Sequence, residues 1–145
     1  MCNLFKDRKG YAMAYVALFI GLVGLPLMLL SVEIVRAMYV EGLVQAAVDA
    51  ACEAAVQAVD VEYFIANGVL RINPGDATGL AQNEFASNVT NYNIANYNPS
   101  LSGLNFLSPT LVQCNASAVM EWLLSGIPGL VLNVDSLSQV KAQVY

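Results

Sequence analysis

Few side chains in these 145 residues can do chemistry. There is no histidine, so the commonest general base and metal ligand is missing. Cysteines stand at positions 2, 52 and 114. None falls in a Cys-x-x-Cys or Cys-x-x-Cys-His spacing, so no zinc site, c-type haem or dithiol redox centre is signalled. No Ser/His/Asp set, Gly-x-Gly-x-x-Gly run, phosphate-cradling loop or pair of carboxylates in an apolar setting occurs. The expectation is a non-enzymatic chain with no catalytic residue, cofactor, metal or small-molecule substrate. Cys52 and Cys114 remain. They can pair as a disulfide on an oxidising side of a membrane, or sit as two small buried apolar residues. Asn88-Val89-Thr90 and Asn115-Ala116-Ser117 fit the glycosylation triplet, which chance often supplies.

The element that must position these residues is Tyr11 to Val32, 22 residues without a charge. As a helix it is about 33 Å long, just over the ~30 Å hydrocarbon core of a bilayer. A chain this short has little room to wrap such a helix on every side. The stretch reads as a transmembrane helix. It is longer than a signal-peptide core, and no small-x-small cleavage site follows it. Gly21, Gly24 and Pro26 predict a kink near residues 22–26.

The tail at 1–10 carries Lys6, Arg8 and Lys9 against Asp7, and positive charge marks the cytoplasmic side. Residues 33–145 hold ten acids and three bases, a net of −7. That excess argues against nucleic acid and against adhesion to anionic headgroups. The topology expected is a single-pass protein of the cell (inner) membrane, N-terminus inside and residues 33–145 outside as one small domain. Cys2 then stays reduced in the cytoplasm, while Cys52 and Cys114 share the oxidising side.

Beyond Val32 the helical period continues to about residue 66. Polar residues recur at Glu41, Gln45, Asp49, Glu53 and Gln57, leaving a wide apolar face floored with small side chains. Ala46, Ala50, Ala54 and Ala58, with Ala47, Ala51 and Ala55 beside them, allow close approach of another backbone. Asn67-Gly68 supplies a left-handed cap, with an Asn-Gly hairpin joining 63–65 to 69–72 as the competing reading. Asn73 and Pro74 open a second helix over 75–90. Residues 91–109 are uncharged and rich in turn formers, and read as a long loop. Tyr92, Tyr97 and Phe106 within it are either interface residues or packed on their own domain. Residues 111–123 and 130–145 alternate with a period of two, as half-buried antiparallel strands joined by the turn Ser125-Gly126-Ile127-Pro128-Gly129. The small Cys114, Ala116 and Ala118 let the long helix sit close, so that Cys52 and Cys114 meet across the seam. The fold class is α+β: a long N-terminal helix packed on a small antiparallel sheet with a second short helix.

The order of these features resembles a known family. A basic tail ends in Arg8-Lys9-Gly10, an apolar span follows with a late proline (Gly24-Leu25-Pro26), and then come Glu33-Ile34-Val35-Arg36-Ala37 and the run Leu43 to Ala51, LVQAAVDAA. This is similar to the N-terminal region of TadE/TadG-like proteins, the pseudopilin-related components of Tad (tight adherence, Flp-type) pilus systems. The closest likeness covers about residues 8–58. The two alternating strands and their Gly-Ile-Pro-Gly loop are also similar to the family's outer domain. The resemblance implies a pilin-like, membrane-anchored structural or pilus-assembly protein, with the bilayer and other pilus subunits or copies of itself as partners, and a place in a surface filament. It implies prepilin-type processing after Gly10. Tyr15 stands where some members carry Glu, which leans toward the TadG-like branch, often unprocessed. An accessory single-span subunit of another membrane complex is the alternative.

Overall fold

The computed structural model of the protein describes residues 8–123 and 128–140. Of the features expected above, the tail before Arg8 with Cys2, most of the turn after Trp122 (residues 124–127) and the strand continuation at 141–145 lie outside the described residues. The chain divides into two compact units, Met1–Ala37 and Met38–Tyr145, the boundary falling inside a continuous helix.

The first unit is helical. α1 spans Arg8–Phe19 and α2 spans Leu25–Val56, joined by a π-helical turn at Ile20–Gly24. The π turn is where a kink was expected. Pro26 has no N–H, and its ring would press on the Leu22 carbonyl in a regular α-helix. The widened turn relieves this: the Leu25 N–H donates to the Ile20 carbonyl, five residues back instead of four. Ser31 satisfies its hydroxyl within the helix, donating to the Leu27 carbonyl at 2.9 Å.

The second unit is α+β. The C-terminal part of α2 is followed by α3 (Val61–Asn67), α4 (Pro74–Asn91) and a 3-10 turn at Ala95–Tyr97. Three strands come next, β1 (Ser100–Ser108), β2 (Leu111–Met120) and β3 (Leu130–Gln139), in an antiparallel sheet of order β1-β2-β3. β2 and β3 pair without interruption from Leu111↔Gln139 to Met120↔Leu130. β1 pairs from Ser100↔Ser117 to Ser108↔Leu111, with register shifts between Leu101 and Gly103 and between Phe106 and Ser108.

One core joins the helices to the sheet. Val40, Val44, Ala47, Val48, Ala51, Cys52 and Ala55 on α2 are buried, at the three-four spacing of a single helical face. They pack with Ala77, Ala81 and Phe85 of α4, with Val112, Cys114, Ala116 and Ala118 of β2, and with Leu132 and Val134 of β3. β2 alternates as its sequence pattern requires, the even positions 112 to 120 being buried.

Four expectations need correction. The long helix does not reach residue 66: α2 ends at Val56, and α3 is a separate helix starting at Val61. Residues 58–60 leave the helix to pair with 71–73, through Asn73 N–H to Ala58 O at 2.7 Å, Asp60 N–H to Arg71 O at 2.8 Å and a bridge between Val59 and Ile72. Asp60 then caps α3, accepting from the Tyr63 N–H at 3.0 Å. Gly68 closes α3 with φ 67°, so Asn67-Gly68 is a cap and the competing hairpin does not form.

Second, the stretch 91–109 is not all loop, since β1 occupies Ser100–Ser108 and makes the sheet three-stranded. Backbone pairing to β2 recruits it although its side chains do not alternate. Third, the strands are shorter than read: β2 stops at Met120, not 123, and β3 at Gln139 within the described residues. Fourth, Ala46, Ala50 and Ala54 are half-exposed, and the buried alanines are Ala47, Ala51, Ala55 and Ala58. At about 100° per residue, the 46/50/54 row lies roughly a quarter-turn around the helix from the fully buried 47/51/55 row, at the margin of the buried face.

Candidate functional site

Cys52 on α2 and Cys114 on β2 form a disulfide, their Cα atoms 5.7 Å apart and the residues 62 apart in sequence. Both side chains are fully buried. The approach depends on small neighbours, with alanines on the helix facing Ala116 and Ala118 on the strand. Beside this seam Gln45 donates to the Asp135 backbone carbonyl of β3 at 2.9 Å and to the Asp49 carboxylate at 2.9 Å. The polar stripe on α2 therefore reaches the sheet as well as solvent. Glu41, Asp49, Glu53 and Gln57 are exposed.

The three aromatic residues separate. Tyr97 packs against the core, whereas Tyr92 at the end of α4 and Phe106 on β1 are exposed. Phe106 lines an open groove of about 430 Å³ with Arg71, Ile72, Pro74, Ser108 and Pro109. Arg71 is committed within this region. Its guanidinium bonds the Asp60 carboxylate at 2.6 Å and lies 4.1 Å from the Tyr63 ring centre. The Tyr63 N–H, and then Arg71, hold the Asp60 carboxyl below its ordinary range.

Sequence reasoning missed Asp60 and Arg71. Asp60 followed by Glu62 is an N-cap with an acid in the first turn, a helix-start signal inside an apparently unbroken period. Arg71 carries no signal of its own.

Of the two glycosylation triplets, Asn88 is buried, and its amide nitrogen donates to the Glu84 carbonyl at 2.9 Å and the Glu84 carboxylate at 2.8 Å. Asn115 is half-buried on the outer face of β2, beside Ser102, Gln113, Asn133 and Asp135 in a shallow polar depression of about 450 Å³. Among the described residues no group of three or more His, Cys, Asp or Glu could hold a metal ion.

Among the described residues, exposed apolar surface includes two helical stretches. The first runs along α1, the π turn and the start of α2. This stretch belongs to a helix, Gly10–Val56, that is long and apolar enough to cross a membrane. Gly10 lies within α1. The second is the face of α3, where Val61, Phe64 and Ile65 are exposed at i, i+3 and i+4. Comparison of the chain with protein-family models, with curated proteins and with solved structures finds no match. The arrangement on the described residues comprises a covalent staple, a close helix–sheet seam and exposed apolar surface.

Proposed function

We propose that this chain is a membrane-anchored, non-enzymatic structural subunit, a pilin-like component or assembly protein of a Tad/Flp-type pilus system. α1 and the first part of α2 anchor it in the cell (inner) membrane with the basic tail inside, and residues 33–145 work outside. The observation that carries the reading is the double use of α2. One helix begins among exposed apolar side chains and ends as the central buried element of an α+β unit stapled by a disulfide. A disulfide at Cys52–Cys114 suits an oxidising compartment beyond the membrane, and the basic tail suits the cytoplasm.

The test is the intact mass of the protein from native membranes, together with its presence in sheared surface fibres. Loss of residues 1–10 and recovery with the fibres supports a filament subunit processed after Gly10. Retention of Met1 to Gly10 in the membrane fraction supports an assembly protein. The second reading, an accessory single-span subunit of another membrane complex, is favoured by the exposed Val61, Phe64 and Ile65 face of α3, which suits a protein partner. Purification in fixed ratio with unrelated subunits would establish it; purification as a homopolymer would exclude it.

A further inference from the structure

The charge-free run stops at Val32, but the exposed apolar surface does not. Between Tyr11 and Tyr39 every residue is exposed except Gly24, Glu33, Arg36 and Ala37. Past Val32 the exposed residues are Ile34, Val35, Met38 and Tyr39, the last three being about two-thirds exposed. From Glu41 onward the composition changes at once. The exposed positions of α2 become Glu41, Gly42, Asp49 and Glu53. Apart from Gly21 and Ser31, the exposed residues of this helix are thus apolar up to Tyr39, and from Glu41 onward none is a large apolar side chain. In water such a switch has no purpose, and the apolar side would be a liability.

The charges inside the apolar stretch are arranged to tolerate a poorly solvated setting. Glu33 is only 2 % exposed, and its carboxylate faces the Arg36 guanidinium at 3.7 Å, one turn along the helix. Ser31 is satisfied by the Leu27 carbonyl. From Tyr11 to Tyr39 a helix covers about 42 Å, against ~30 Å for the hydrocarbon core and ~40–45 Å with the headgroup layers. Tyrosines stand at both ends, as rings with a polar tip do at membrane interfaces.

We infer that the lipid-facing segment runs to Tyr39, with residues 33–39 seated in the outer headgroup layer of the bilayer. The occupant of this surface is phospholipid, and Tyr39 marks the water boundary. The inference rests on the membrane reading proposed above and adds the partner of a segment that the charge pattern alone assigns to water.

The test uses the full chain with Cys2→Ser, leaving Cys52–Cys114 oxidised. Single cysteines are introduced by Leu22→Cys, Val35→Cys, Met38→Cys and Asp49→Cys. Each is spin-labelled and reconstituted in phosphatidylcholine vesicles. Collision with oxygen, which concentrates in lipid, is compared with collision with a water-soluble nickel chelate. The oxygen-to-nickel ratio should be highest at position 22 and several-fold higher at 35 and 38 than at 49. Equal ratios at 35, 38 and 49, with 22 still high, overturn the inference and leave the anchor standing. Exclusion of both probes at 35 and 38 overturns it in favour of a protein cover. A ratio at 22 no higher than at 49 overturns the membrane reading itself.

Discussion

Replacing both members of the Cys52–Cys114 staple, by Cys52→Ala with Cys114→Ala, should remove a large part of the α+β unit's stability. The two residues are 62 apart in sequence. Closing a loop of that length lowers the entropy of the unfolded chain by about 14 cal/mol/K, or about 4 kcal/mol at 25 °C. A domain of this size has about 5–15 kcal/mol in all. With a urea dependence of about 1–3 kcal/mol/M, the unfolding midpoint should fall by about 1.5–4 M. The assay is urea unfolding in detergent micelles, followed by the fluorescence of Trp122, the sole tryptophan. Because both sulfurs are fully buried, the native chain should also resist reductant until urea is added, and then gain about two mass units on reduction. A midpoint shift below about 0.5 M in the double variant would refute the chain-entropy argument. Ready reduction of the folded protein would refute the burial.

The two alanine rows can be told apart by size. Ala51→Leu overfills a fully buried position and should cost about 1–3 kcal/mol, whereas Ala54→Leu at the half-exposed margin should stay within about 0.5 kcal/mol by the same unfolding assay. Pro26→Ala restores a donor and removes the ring, so the π turn should relax. Backbone NMR in micelles should then show the Leu25 N–H bonded to Gly21 O in place of Ile20 O. The depressed Asp60 carboxyl should make α3 acid-sensitive. Its contribution is complete above the unfolded pKa of about 3.9 and is lost as pH falls through the lower folded value. The protection of the Tyr63 N–H against hydrogen exchange, relative to an unfolded amide at the same pH, should fall over that window in the native chain, and Asp60→Asn should abolish the dependence.

The parts of the fold legible in the sequence are those where one periodicity governs a long stretch. The run at 11–32 is legible as an unbroken charge-free stretch, and the alternation of 112 to 120 and the small side chains on both sides of the Cys52–Cys114 seam follow from a repeated burial pattern. What escaped is local or cooperative. The end of α2 at Val56 is set by hydrogen bonds from 58–60 to 71–73 and from the Ile72 N–H to Pro109 O at 2.8 Å. Those partners are remote in sequence, and helical propensity around Ala54–Ala58 argues for continuing. β1 lacks alternation because an edge strand with two register shifts is held by backbone bonds to β2, which any side chain permits.

The water boundary inferred on α2 rests on a different criterion from the charge pattern. Charge marks where a helix becomes costly to bury, and by that measure the span stops at Glu33. Exposure marks which side chains a solvent must meet, and by that measure lipid-compatible surface continues for another two turns. The two criteria disagree at Glu33, which is only 2 % exposed and lies 3.7 Å from the Arg36 guanidinium. A charged residue that is not exposed sets no limit on the surrounding medium, so under the inference above the boundary falls where the exposed face itself changes, at Tyr39 and Glu41.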